Sequence, residues 1–164
     1  MMTTSATITA VFVASLATLT ACGDETMDPT MTAAQAKAQA AEHVREATTA
    51  SLPTGFQLID RGSLPLGCTD TQGKPDGRTE IAVDYWIDGI DRAKNDDYVD
   101  AVKNWWTAHG WNIESDSRPR DMFVNAKNSH TEFTMSIKAT PDGRLSIDAS
   151  SPCVWPNGTP QPKA

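Results

Sequence analysis

Aspartates are concentrated in the middle of the chain, in the segment DYWIDGIDRAKNDDYVD at positions 84–100. Clustered carboxylates bind calcium, and paired carboxylates act as acid and base in glycoside hydrolases. The spacing here differs from that of the helix–loop–helix calcium site, which requires alternating acids followed by a glycine and a distal glutamate. Asp96 and Asp97 suit the first turn of a helix, where the helix dipole favours negative charge. The cluster is therefore interpreted as solvated, and no metal site or cofactor is predicted.

Trp86 lies between two of these aspartates, in the segment TEIAVDYWID at positions 79–88. Apolar and polar residues alternate in this segment, which is the period of a half-buried strand. The apolar set predicts an inner face, so the outer face carries Asp84, Trp86 and Asp88. A tryptophan among carboxylates on an open sheet face suits a sugar, a peptide or a protein partner. These three residues are the candidate ligand-binding residues, and the alternative is that another segment of the chain covers Trp86.

The three histidines do not form a recognisable catalytic motif. His43 and His109 fall in predicted helices, and His130 falls in a predicted turn. Nucleophilic catalysis needs a serine or cysteine beside a base, and no glycine-flanked serine elbow occurs in the sequence. No catalytic residue is predicted.

The N-terminal segment is distinguished by its lack of charge, because no Asp, Glu, Lys or Arg precedes Asp24. Residues 6–21, ATITAVFVASLATLTA, have the length and character of a signal-peptide core with its cleavage region. The run is too short and too rich in Thr and Ser for a membrane-spanning helix, which needs roughly 20 apolar residues. A buried core helix is the alternative. Residues 1–5 contain no basic residue, so either the terminal amine supplies the positive charge or the start lies upstream of Met1.

The uncharged run ends at Leu19-Thr20-Ala21-Cys22, which resembles the lipobox of bacterial lipoproteins. This resemblance implies that Cys22 carries a diacylglyceryl group with fatty acids such as palmitate, and that a peptidase removes residues 1–21. It also implies a lipid anchor on the extracytoplasmic face of the cell membrane. The whole chain is similar to the small exported lipoproteins of actinobacteria, through its composition and its terminal segment SPCVWPNGTP. That class is defined by location rather than by a shared activity.

The other two cysteines follow from this resemblance. If lipid consumes Cys22, Cys68 and Cys153 remain as an even pair. Thiols oxidise outside the cytoplasm, so a Cys68–Cys153 disulfide is expected. Two buried free thiols are the alternative. A metal site is not expected, because neither cysteine has a second cysteine or a histidine at ligand spacing.

The charge balance limits the partners. The chain has 14 basic against 21 acidic side chains, for a net charge of −7. Nucleic-acid binding depends on clustered Lys and Arg, and docking on anionic lipid uses a basic patch. The sequence argues against both. The hydrophobic share of 39% supports a core of ordinary size.

Two helices and several strands are predicted along the chain. Thr32 and Gln35 match a capping box at the start of an alanine-rich helix over 32–50. Asn95 is the expected cap of a second helix over 96–109. Strands are expected at 55–60, 79–88, 111–115, 121–126, 131–139 and 144–150. The glycine- and proline-rich segment 61–78 is expected to be a loop.

This order of elements predicts an α+β fold. We expect a two-layer sandwich in which an antiparallel sheet of about five or six strands is covered on one face by two helices. The expected organisation is a signal peptide over 1–21, a tether over 22–31, one domain over 32–155 and a disordered tail over 156–164.

The leading functional hypothesis is a membrane-anchored cell-envelope lipoprotein whose small domain binds a ligand or partner, without evident catalytic activity. The partner would be an envelope protein or a glycan. One alternative is a hydrolase acting on the cell wall, which two buried acids facing each other in a deep cleft would indicate. The other is a purely structural module, which a covered Trp86 and the lack of a sizeable pocket would indicate.

Overall fold

A computed structural model of the chain describes residues 28–160. The predicted signal peptide, the predicted acylation site Cys22 and the last four residues lie outside this range. The elements in chain order are α1 (Ala33–Ser51), β1 (Gln57–Thr69), β2 (Pro75–Asp88), a single 3-10 turn (Arg92–Lys94), α2 (Asn95–Ala108), β3 (Trp111–Asp116), β4 (Phe123–Asn128), β5 (Thr134–Ala139) and β6 (Leu145–Ser150).

The six strands form one antiparallel sheet in the order β1-β2-β6-β5-β4-β3, and both helices pack on the same face. The α+β two-layer sandwich predicted from the sequence is confirmed. The core lies between the layers because each element turns its apolar residues inward. The alanine-rich face of α1 buries Ala36, Ala40, Val44 and Ala47. Its small side chains allow α1 to lie close to the sheet.

The segment 61–78, expected to be a loop, is mostly strand, and that expectation is wrong. β1 and β2 extend through it and turn at residues 70–74. β1 is an edge strand, and proline is tolerated at an edge because no second neighbour needs its missing amide. Pro65 therefore pairs opposite Ile81 within the ladder. Gly62, at φ +99°, lies where the register shifts between Asp60 and Ser63.

The predicted disulfide between Cys68 and Cys153 is present. It joins the end of β1 to the segment after β6. Residues 156–158, placed in a disordered tail by the sequence, instead form part of the domain. The amide of Thr30 donates to the carbonyl of Gly158 at 2.9 Å, and the amide of Ala33 donates to that of Pro156 at 3.1 Å. The domain therefore extends beyond the expected limits of 32 and 155 at both ends.

Candidate functional site

The outer face of the sheet, opposite the helices, carries the three residues predicted to bind a ligand. Within β2, Val83 and Ile87 are buried against the helices, so Asp84, Trp86 and Asp88 point the other way. Two arginines join them. Arg61 of β1 lies 4.2 Å from the Trp86 ring centroid, and Arg144, directly before β6, lies 4.5 Å from it. We call these five residues the Trp86 stack.

Each aspartate of the stack holds one arginine in place. Arg61 donates to Asp84. Arg144 donates to both oxygens of Asp88, from Nε at 3.0 Å and from Nη2 at 2.7 Å. The two guanidinium groups reach the ring from opposite sides of β2, Arg61 from β1 and Arg144 from the start of β6. Trp86 is half-buried between them.

Strand register explains why these side chains meet. Arg144 directly precedes Leu145, the partner of Ile87, and therefore lies opposite Asp88. Arg61 falls at the bulge of β1, close to the pairing of Asp60 with Tyr85. Sequence reasoning found the aspartates and the tryptophan through their alternation. It missed both arginines, because they lie on the strands beside β2. The topology of the sheet decides which strands those are, and no local sequence pattern shows it.

The ion pairs fix the charge state of the stack. The hydrogen bonds from Arg144 hold the pKa of the Asp88 carboxyl below its usual range, and Asp88 in turn raises the pKa of Arg144. Asp88 is therefore ionised at neutral pH and has no proton to donate. The two acids and two bases of the stack balance, so the site is polar but formally neutral.

Two clefts flank the stack along β2. One, of about 430 Å³, lies beside Arg61 and Asp84 and is bounded by Leu64, Lys138 and Asp148. The other, of about 530 Å³, lies beside Asp88 and Arg144 and reaches Arg92 and Asp142. Next to the first cleft, β1 exposes three large apolar side chains on the sheet: Ile59 (41%), Leu64 (59%) and Leu66 (42%). The outer face thus combines an Arg-Trp-Arg centre with an apolar border.

A further concavity lies on the helical layer. This feature, which we call the helix groove, has a volume of about 730 Å³. It runs between the C-terminal half of α1 and the end of α2. Its lining residues are Glu42, His43, Arg45, Glu46, Thr49, Ala50, Trp105, His109, Trp111 and Asn128.

The helix groove was not predicted from the sequence, although the helical spacing of two of its residues could be read there. Trp105 and His109 are four residues apart on α2, and their rings stack at 4.2 Å. His43 contributes from α1, where its ring meets Trp111 edge-on at 5.2 Å. His130 lies elsewhere, in the turn after β4.

The aspartates of segment 84–100 have local structural roles. Asp91 accepts from the amide of Ala93 and caps the 3-10 turn. Asp96 and Asp97 occupy the first turn of α2, as predicted, and Asp100 pairs with Arg118 at 2.8 Å. Between residues 28 and 160, no group of three or more His, Cys, Asp or Glu side chains is placed to hold a metal ion. In the same range no helix is long and apolar enough to cross a membrane.

Comparison with known proteins does not assign the chain to a family. No family model matches it, and no curated protein or solved structure shows significant similarity to it.

Proposed function

We propose that this protein is a lipid-anchored cell-envelope protein that binds a partner protein through the outer face of its sheet. The observation that carries the proposal is the Trp86 stack, in which Trp86 is held between two ion-paired arginines on a face that neither helix covers. Trp and Arg are the side chains most enriched at the energetic centres of protein interfaces. Here they lie beside exposed Leu64 and Leu66, which extend the surface with apolar area.

The geometry of the stack favours a protein over a glycan at this face. A sugar packs its C–H face on a free aromatic ring face, and two guanidinium groups already lie within 4.5 Å of the Trp86 ring centroid. These guanidinium groups remain accessible, since the side chains of Arg61 and Arg144 are 38% and 31% exposed. Guanidinium nitrogens donate to carbonyl and carboxylate oxygens, which a polypeptide supplies together with apolar side chains.

The anchoring part of the proposal rests on the lipobox. Cys22 precedes Asp28 by six positions, and six extended residues span at most about 20 Å. The domain would therefore lie close to the membrane surface, which restricts its partners to envelope proteins. Two acyl chains on one residue satisfy the two-signal requirement for stable anchoring.

The hydrolase alternative has no observation in its favour within residues 28–160. No aspartate or glutamate in that range is among the buried residues, and the Asp76 carboxyl, whose side chain is 5% exposed, is bound to Arg78. The paired carboxylates nearest Trp86 are bound to arginines rather than to each other. The clefts beside the stack and the helix groove also distinguish the domain from a featureless structural module.

Replacing Cys22 tests the anchor. We expect Cys22→Ser to move the protein from the membrane fraction to the culture medium, because the serine hydroxyl does not accept the lipid. Cell fractionation and intact-mass measurement of the purified protein follow the change. The matched control is Cys68→Ser, which lies in the domain and should leave anchoring intact. Continued membrane association of Cys22→Ser, or a wild-type mass without acyl chains, would contradict the anchor.

Site-specific crosslinking on intact cells tests the partner surface. A photoreactive residue at Leu64, beside the stack, should capture one discrete protein. The same probe at Lys37, exposed on α1, is the control and should not. Trp86→Ala should strongly reduce the adduct, since loss of an interface centre costs about 2 kcal/mol or more, roughly a thirtyfold change in affinity. An adduct of equal yield in Trp86→Ala, capture of the same protein from Lys37, or capture of glycan alone would overturn the proposal.

A further inference from the structure

The helix groove lies in the other layer of the sandwich from the Trp86 stack and offers different chemistry. Four aromatic side chains line it: His43, Trp105, His109 and Trp111. Trp105 is half-buried and Trp111 is almost fully buried. Trp105 therefore supplies accessible aromatic surface to the groove, and Trp111 lies beneath its floor. At about 730 Å³, the groove falls in the size range of small-molecule sites.

Polar groups at the edge of this wall have unused hydrogen-bonding capacity. His109 Nδ1 lies 2.7 Å from the carbonyl oxygen of Trp105. A carbonyl only accepts, so Nδ1 carries the proton and Nε2 is left as an acceptor. Asn128 Oδ1 accepts from the amides of His130 and Thr131, both at 3.0 Å. The side-chain nitrogen Nδ2 of Asn128 makes no hydrogen bond to another residue in the described part of the chain, and is left as a donor.

Acidic and basic groups at the mouth nearly cancel. Glu42 pairs with Arg45, and Glu46 lies 3.6 Å from His43 Nδ1 with its side chain half exposed, at 51%. His43 itself packs between Trp111 and Phe133, with each ring centroid 5.2 Å away. Its Nε2 is buried without a hydrogen-bond partner among the described residues. The groove therefore offers donors and acceptors together, on an aromatic surface with little net charge.

We propose that the helix groove binds a neutral saccharide. A sugar ring has an apolar C–H face that packs on aromatic surface, and a rim of hydroxyls that both donate and accept hydrogen bonds. His109 Nε2 and the Glu46 carboxylate accept from hydroxyls, and the Asn128 amide donates to them. An anion would meet Glu42 and Glu46, whereas an ammonium ligand would gain nothing from Arg45 or from the Asn128 amide. This combination of hydrogen-bond donors and acceptors fits an uncharged, hydroxyl-rich ligand better than it fits an anion or an ammonium ion.

Nuclear magnetic resonance on the full chain tests this site, in a detergent without a sugar headgroup. The tryptophan indole NH signals report each site separately. The probes are the β-1,4-linked tetramer of N-acetylglucosamine, cellotetraose and maltotetraose. We expect saturable shifts of the Trp105 and Trp111 signals with at least one of them, and none at Trp86. Trp105→Ala should weaken binding at least tenfold.

Glu46→Gln is the second variant, because an exposed helix position tolerates glutamine without loss of folding. It should weaken saccharide binding several-fold, whereas Glu80→Gln on the outer face of the sheet should leave it unchanged. The absence of any indole shift up to about 20 mM saccharide, well above the millimolar range of weak ligands, would overturn the proposal. Shifts confined to Trp86, or shifts produced by choline or citrate but by no saccharide, would overturn it as well.

Discussion

Arg144 and Asp88 act together at Trp86, because the carboxylate fixes the guanidinium that covers the ring. Their bidentate contact restricts Arg144 to one orientation. Lysine could not reproduce this arrangement, since a point charge neither stacks flat on the indole nor forms two parallel bonds. The side chains of the stack are therefore already arranged in the free protein, which would reduce the entropy lost on binding at the proposed interface.

Asp116 is the residue through which acid should destabilise the fold most directly. Hydrogen bonds from Arg118, and then from Lys103, hold its pKa well below the ordinary value of 3.8. Because the folded-state pKa is the lower one, the stabilisation is complete above about pH 4 and is lost as the pH falls below 3.8. The Asp116→Asn variant should therefore be less stable than wild type at pH 7. It should also lose less stability than wild type between pH 4 and pH 2.

Urea unfolding of both proteins at several pH values measures this difference. Glu80→Gln is a suitable control, because Glu80 has no ion pair among the described residues, and its acid sensitivity should match that of wild type. If Asp116→Asn and wild type lost the same stability on acidification, the Asp116–Arg118–Lys103 contacts would not contribute to folding.

At the scale of elements, the sequence predicts what local periodicity determines. The alternation in β2 and the Thr32–Gln35 capping box both appear where expected. β1 was largely missed, because its glycines and Pro65 indicate a loop unless the strand is known to lie at an edge. Whether a strand lies at an edge depends on the arrangement of the whole sheet, so it cannot be predicted from a short segment of sequence.

The second helix shows the same limit for the candidate sites. The apolar spacing in this helix indicates a stripe that includes Val99, Val102 and Trp106, which are buried, but it also includes His109, which is exposed. The predicted cap Asn95 instead donates from its side chain to the carbonyl of Gly143. Helical spacing indicates which residues share a face, but the rotation of that face depends on the packing against α1 and β3. The helix groove depends on that rotation, so sequence alone could not assemble it.

At the scale of the molecule, the two ends of the described chain meet at one end of the sandwich. The amide of Trp155 donates to Thr30 Oγ1 at 2.8 Å, and its indole nitrogen donates to the carbonyl of Asp28 at 3.1 Å. The 140–144 turn lies at the opposite end of β6 from this junction. The cleft beside Arg144 and Asp142 therefore lies at the end of the sandwich away from Thr30 and Trp155.

The Cys68–Cys153 disulfide secures this junction to the edge of the sheet. It closes a separation of 85 residues, and loop-closure entropy gives such a bridge about 4 to 5 kcal/mol, a value that measured cases often fall below. Cys68 lies at the end of β1, where β2 is the sole neighbouring strand. The double replacement Cys68→Ser and Cys153→Ser should therefore lower the free energy of unfolding by up to about 4 kcal/mol.

Removing the disulfide should also destabilise the edge of the sheet near the bridge more than the rest of the domain. Hydrogen exchange should quicken first at the amides of Leu64 and residues 66–69 in β1 and at Val154, which pairs with Thr79, because both segments lose their covalent tie. The central strands β5 and β6, with neighbours on both sides, should keep their protection until the whole domain unfolds. Urea unfolding and hydrogen exchange of the double variant, compared with wild type under non-reducing conditions that keep its disulfide intact, measure both effects. Uniform acceleration across all six strands would mean that the bridge acts only on the unfolded chain and does not hold the edge of the sheet.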